Sequence, residues 1–131
     1  MIVGIGADLV DISRIAELLN KPEPASAKFL ARILTPAERE VAKTCQHRLA
    51  EYAAGRFAAK EAVAKALGSG IGKTVGFQDI EILPDANGKP ACSIHHQALT
   101  RAGLEDSLHV HISITHSDHT AAAFVVLEDR N

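Results

Sequence analysis

Residues 56–72 read RFAAKEAVAKALGSGIG, and the charges in this stretch are spaced to act together. Phe57, Glu61 and Lys65 are four apart, so in a helix they stack on one face, with Arg56 and Lys60 in the adjacent row. One carboxylate among three cations, beside a glycine-rich loop, is the mixture that holds a divalent metal and a phosphate together. Hard oxygen binds the cation, and positive side chains take the remaining phosphate oxygens. A solvated helix face carries the same i,i+4 pairs, so the spacing alone does not decide. A second acid stands near the N-terminus. Asp8 follows Gly4 and Gly6 on one face of a strand, and Asp11 is available to cap the next element, which leaves Asp8 without a structural duty. His116 ends a later strand just before a turn, where a side chain can point into a site. Asp8 and Glu61, with Arg56, Lys60, Lys65 and His116 around them, would leave a magnesium ion open positions for phosphate and water. The sequence by itself does not bring Asp8 to Glu61.

These residues need a frame. Residues 2–10 read as a short apolar, buried strand. Asp11 is placed to cap a helix to about Asn20, with Ile12, Ile15, Ala16, Leu18 and Leu19 inward and Arg14 outward. Residues 27–34 form a short amphipathic helix with Lys28 and Arg32 on its polar side. Thr35-Pro36-Ala37-Glu38 is a capping box with proline at the first helical position, opening a helix to about Lys43. A long helix starts near Arg48 and stops at Gly68, suited to the left-handed conformation of a C-cap. Beyond it the backbone of the Ser69-Gly70-Ile71-Gly72 loop can approach a ligand closely. Residues 77–83 alternate as a strand, Asn87-Gly88 marks a hairpin, and residues 89–94 return. A short helix over residues 95–102 precedes two more strands, residues 109–115 and the more apolar residues 121–127. The order predicts one α+β domain over residues 1–131, an antiparallel sheet packed on a long helix plus shorter ones.

Composition limits the alternatives. At 131 residues, 47% hydrophobic and 23% charged, the chain is an ordinary globular domain. A net charge of −2 with no Trp, one Tyr and four Phe argues against nucleic-acid binding. Cys45 and Cys92 lack CxxC spacing and read as free thiols in a reducing compartment. No apolar run approaches the roughly 20 residues of a membrane span. No signal peptide is evident, so the expected location is cytoplasmic. His109 and His111 share a strand face, but a third zinc ligand is not at hand. No nucleophile elbow surrounds Cys45 or Ser117, and no Walker loop occurs. Gly4-Ile5-Gly6-Ala7-Asp8-Leu9 puts Leu where a dinucleotide fingerprint needs its third glycine.

Three blocks together resemble the holo-acyl-carrier-protein synthases, the bacterial phosphopantetheinyl transferases of fatty acid synthesis. They are GIGADLVDISRI from Gly4, RFAAKEAVAKALG from Arg56 continuing to Gly70, and HISITHS from His111, with Gly88-Lys89-Pro90 between the last two. The resemblance implies the phosphopantetheinyl transferase fold and a homotrimer with sites at subunit interfaces. It implies transfer of 4′-phosphopantetheine from coenzyme A to a serine of an acyl carrier protein, with release of adenosine 3′,5′-bisphosphate. Asp8 and Glu61 match the magnesium ligands. Asp8, Glu61 and Lys65 match the catalytic group, and Arg56, Lys60, Lys65, Gly70, Pro90 and His116 the coenzyme contacts. The general base stays open among Glu61, Asp8 and a water on the metal. Acyl carrier proteins are acidic, so docking needs a local basic patch, for which Arg14, Lys28 and Arg32 are the candidates. The alternative reading is a non-catalytic module that binds coenzyme A or a carrier protein.

Overall fold

The computed structural model describes residues 1–105 and 107–130. Its elements are β1 (Ile2–Asp11), α1 (Ile12–Leu19), α2 (Ala25–Ile33), α3 (Pro36–Lys43), α4 (Leu49–Ala66), β2 (Ile80–Pro84), β3 (Pro90–Ile94), α5 (His96–Arg101), β4 (Leu108–His116) and β5 (Thr120–Asp129). Helix α4 is the spine. Ala53, Ala54, Ala58, Ala59, Ala62, Val63 and Ala64 are all buried, so the helix presents no single apolar stripe but is covered on most sides. Small side chains are what let a sheet and three helices close around it.

An antiparallel sheet of order β1-β5-β4 packs on α4, and β2-β3 form a separate antiparallel ribbon. Central β5 sends Ala121, Ala123, Val125 and Leu127 into the core. Asp11 caps α1 by accepting from the Ser13 amide, and the Thr35–Glu38 capping box is complete in both directions. Gly68 has φ +83°, the left-handed turn that ends α4, and Gly88 has φ +81° at the tip of the ribbon.

Two expectations are corrected. Phe77–Asp79 is a 3₁₀ turn rather than the start of a strand. The Asp79 carboxylate accepts from the Gly76 amide at 2.8 Å and holds the backbone out of the ladder until Ile80. Strand β1 is not buried on both faces. It is an edge strand whose outer residues Ile5 and Leu9 are each 73% exposed. Phe124, opposite Ala7 on β5, is 59% exposed on the same face. An apolar sheet surface is therefore left open in the single chain.

Candidate active site

The spacing of β1 and α4 matches, and that brings the acids together. A β carbon on Gly4 would collide with the Ala66 carbonyl, and one on Gly6 with the Ala62 carbonyl, so strand and helix backbones touch there. Two strand residues advance about 6.7 Å and four helix residues about 6 Å, so each step along β1 moves nearly one helical neighbour back along α4. The next residue on that face is Asp8, which arrives beside the Glu61/Lys65 row.

Lys65 Nζ donates to Asp8 Oδ1 at 2.9 Å and to the Ala7 carbonyl at 3.2 Å. Partial burial raises the Glu61 carboxyl above the usual range. The Asp8 charge adds to that rise and Lys65 opposes it. Asp8 and Glu61 line one cleft of about 560 Å³, with Phe29, Phe57, Ile15 and Leu18 as apolar wall and Arg14 and Arg32 at its edge. Lys65 faces an adjoining recess with Ala7, Asp8, Leu9 and Phe124. Two carboxylates held close at a cost, next to an ammonium, are a donor set suited to a hard divalent cation and its phosphate ligand. Among the described residues no cluster of three or more His, Cys, Asp or Glu side chains that could hold a metal ion is found.

Lys60 is corrected. It does not reach the cleft: its side chain and that of Glu38 are both fully buried, paired at 2.6 Å. All three ammonium protons are used, on Glu38 Oε1 and on the carbonyls of Ile33 (2.8 Å) and Phe77 (2.9 Å). Burial pushes the Lys60 ammonium down and Glu38 opposes that. Helical phase explains the outcome, because Lys60 is one position round from Glu61 and points to the side covered by α3 and the Phe77–Asp79 turn. The three cations expected around Glu61 are therefore reduced.

The other expected residues are dispersed over the single chain. Arg56 lies over the Tyr52 ring at 4.7 Å, and its buried Nε has no protein partner. Gly70 sits in the loop after α4 with φ +67°. Pro90 pairs with Pro84 at the turn end of the ribbon. His116 stands at the other end of α4, with Nε2 3.8 Å from Glu51. None of these four lines the Asp8–Glu61 cleft, nor does Lys28. The sequence reading missed the cleft's apolar wall from α1 and α2, and Glu38 as the partner of Lys60. Glu38 carried a signal only as the capping-box acid, which said nothing of its second oxygen accepting from Ile82 at 2.8 Å.

A strand whose glycines seat an acid against a KEAxxK helix, under a small antiparallel sheet, is the arrangement of a known class. The sequence profile of the 4′-phosphopantetheinyl transferase superfamily matches residues 4–125. The chain belongs to that superfamily, among its holo-(acyl-carrier-protein) synthases. It is 50% identical over 129 residues to the holo-(acyl-carrier-protein) synthase of Geobacillus kaustophilus, covering 98% of this chain and 90% of that relative. The crystal structure of the Bacillus anthracis synthase in complex with CoA (3′,5′-ADP) matches with TM-score 0.81 and 47% identity over 98% of both chains. The Helicobacter pylori synthase in complex with coenzyme A matches with TM-score 0.80 and 33% identity, over 95% of this chain and 99% of that one.

Proposed function

We propose that this enzyme transfers 4′-phosphopantetheine from coenzyme A to a serine of apo-acyl carrier protein, with Mg²⁺ held by Asp8 and Glu61 and adenosine 3′,5′-bisphosphate released. The observation that carries this reading is the convergence of Asp8 and Glu61, from two elements far apart in sequence, on one cleft, with Lys65 paired to Asp8 from the adjoining recess. The relatives bound to coenzyme A support the donor. The metal would neutralise pyrophosphate charge and orient it. Lys65, already paired with Asp8, is placed to meet phosphate oxygens and the charge on the leaving group. Arg14 and Arg32 at the cleft edge, with Lys28 on the same helix as Arg32, form the basic patch for an acidic carrier protein. The cleft's apolar wall adjoins the acids, so a docked carrier helix can bring its serine to them.

The exposed Ile5, Leu9 and Phe124 surface supports self-association, which we take to be a homotrimer. Arg56, Gly70, Pro90 and His116 then act on coenzyme A at an interface, meeting a neighbour's Asp8–Glu61 cleft rather than their own. The unpartnered Nε of Arg56 suits a phosphate ligand. No helix among the described residues is long and apolar enough to cross a membrane. We place the enzyme in the cytoplasm, serving fatty acid synthesis. Mass spectrometry of apo-carrier protein incubated with coenzyme A and Mg²⁺ tests the reading. The expected result is a phosphopantetheine mass increase that disappears with EDTA and with Glu61→Gln. An unchanged mass with wild-type protein would overturn it.

A further inference from the structure

A helix leaves its last four carbonyls without partners inside the helix. Many chains solve this with a left-handed glycine, but α2 does not. It ends at Ile33, and Leu34 turns directly into extended backbone with ψ 138°. Its terminal carbonyls are instead taken by side chains from three other elements. Gln78, in the 3₁₀ turn before β2, donates its amide to Ala31 at 2.8 Å, Leu34 at 2.9 Å and Arg32 at 3.3 Å. Arg39 of α3 donates to Leu34 at 3.0 Å and Ala31 at 3.2 Å. Lys60 of α4 takes the remaining carbonyl, that of Ile33. Two of the three donors are cations at the negative end of the helix dipole.

Elsewhere α2 is held by side-chain packing, with Phe29 and Leu30 half-buried against the core. Only Ser26 and Ile33 are buried along it, and no side chain caps its N-terminus. Yet α2 carries Phe29 and Arg32 into the wall of the cleft. The same Lys60 that holds its C-terminal end belongs to the helix that carries Glu61. The external cap thus ties the C-terminal end of α2 to the helix that bears Glu61. We infer that Gln78, with Arg39 and Lys60, is a positioning residue: it holds α2 as the wall against which an acidic carrier protein docks. The inference rests on the reading that the cleft receives the carrier protein. Gln78 does not line the cleft, and the residue is exposed at the surface.

Gln78→Ala tests it in the full-length enzyme, assayed with apo-acyl carrier protein and coenzyme A varied separately. Removing two or three net hydrogen bonds from α2 is expected to raise the carrier KM about threefold or more, while kcat and the coenzyme A KM stay within about twofold. Gln78→Glu has the same size but turns a carboxylate toward the carbonyls, so its carrier KM should rise at least as far. The rise in Gln78→Ala should persist at high salt, because it comes from geometry and not from charge. A residue that only supports the fold would lower the active fraction, and so kcat, leaving KM alone. An unchanged carrier KM, or an equal rise in the coenzyme A KM, overturns the inference. Arg32→Glu is run beside it. If Arg32→Glu raises the carrier KM in a salt-dependent way and Gln78→Ala does not, docking at α2 stands and the positioning role falls. If neither moves the carrier KM, both fall. If only Gln78→Ala moves it, α2 is positioned for an apolar contact through Phe29.

Discussion

At Glu61, burial and the charge of Asp8 act in the same direction, raising the carboxyl pKa above the value it has in the unfolded chain. The linkage sign follows. Above the raised folded pKa the ionised carboxylate costs stability in full, and below the unfolded pKa the cost is gone. Glu61→Gln should therefore melt higher than wild type near neutral pH without metal, with the gap closing as the pH falls toward the ordinary carboxylate range. Millimolar Mg²⁺ should raise the wild-type melting temperature and leave Glu61→Gln unmoved. Differential scanning fluorimetry across pH, with and without Mg²⁺, reads both effects. A glutamine variant that melts lower than wild type throughout would remove the strained-pair account. Its neighbour Lys60 makes the opposite prediction. Lys60→Met leaves Glu38 charged, buried and unpaired, which costs about 3–5 kcal/mol. Urea unfolding should show that loss. A coenzyme-binding lysine would instead leave stability unchanged and raise the coenzyme A KM.

At the scale of elements, the contact of β1 with α4 decides the site. Gly6→Ala places a methyl group against the Ala62 carbonyl, with backbone on both sides and nothing flexible to yield. The expected cost is about 3 kcal/mol, at the upper end of overpacking, and the strand must lift from the helix. Asp8 lifts with it, so Mg²⁺ affinity, followed by titration of Mn²⁺ under electron paramagnetic resonance, should fall in the molecules that remain folded. Normal affinity in a folded Gly6→Ala protein would show that the glycines do not register the acids. Such contacts explain what could be read from sequence. The Thr35–Glu38 box, Asp11, Gly68 and Asn87-Gly88 are local devices whose partners lie within a few residues, and each works as its residues require. The Phe57/Glu61/Lys65 row held because helical spacing is local too. Lys60 reads from the sequence as a phosphate contact beside Glu61, whereas α4 is covered on nearly every side and Lys60 turns inward to Glu38. Strand β1 was misjudged because its apolar residues on both faces look the same whether the second cover is this chain or another. The approach of Asp8 to Glu61 depends on 52 residues of intervening chain and carries no local signal.

At the scale of the molecule, the proposed trimer gives the open sheet face and the dispersal of Arg56, Gly70, Pro90 and His116 one explanation. Ile5 on β1 lies beside Val126 on β5, and Ala7 beside Phe124, so the outer face of the edge strand continues as one apolar surface. Phe124→Glu introduces a charge there without touching the core, so the isolated fold should persist while sedimentation should shift from the proposed trimer to monomer. Transfer activity should then fall by at least an order of magnitude, because a single chain leaves His116 beside its own Glu51, far along α4 from Glu61. Loss of activity by itself does not separate an incomplete site from a disturbed one, but mixing does. Glu61→Gln keeps His116 and loses the acid, and His116→Ala keeps the acid and loses the imidazole. If the two groups act on one coenzyme from different subunits, mixed trimers made by refolding the variants together contain sites with Glu61 from one chain and His116 from another. Those sites should recover activity well above the sum of the two parents. If both groups serve a site within one chain, every chain in the mixture lacks one of them, and activity should stay at the parental level however the subunits are exchanged.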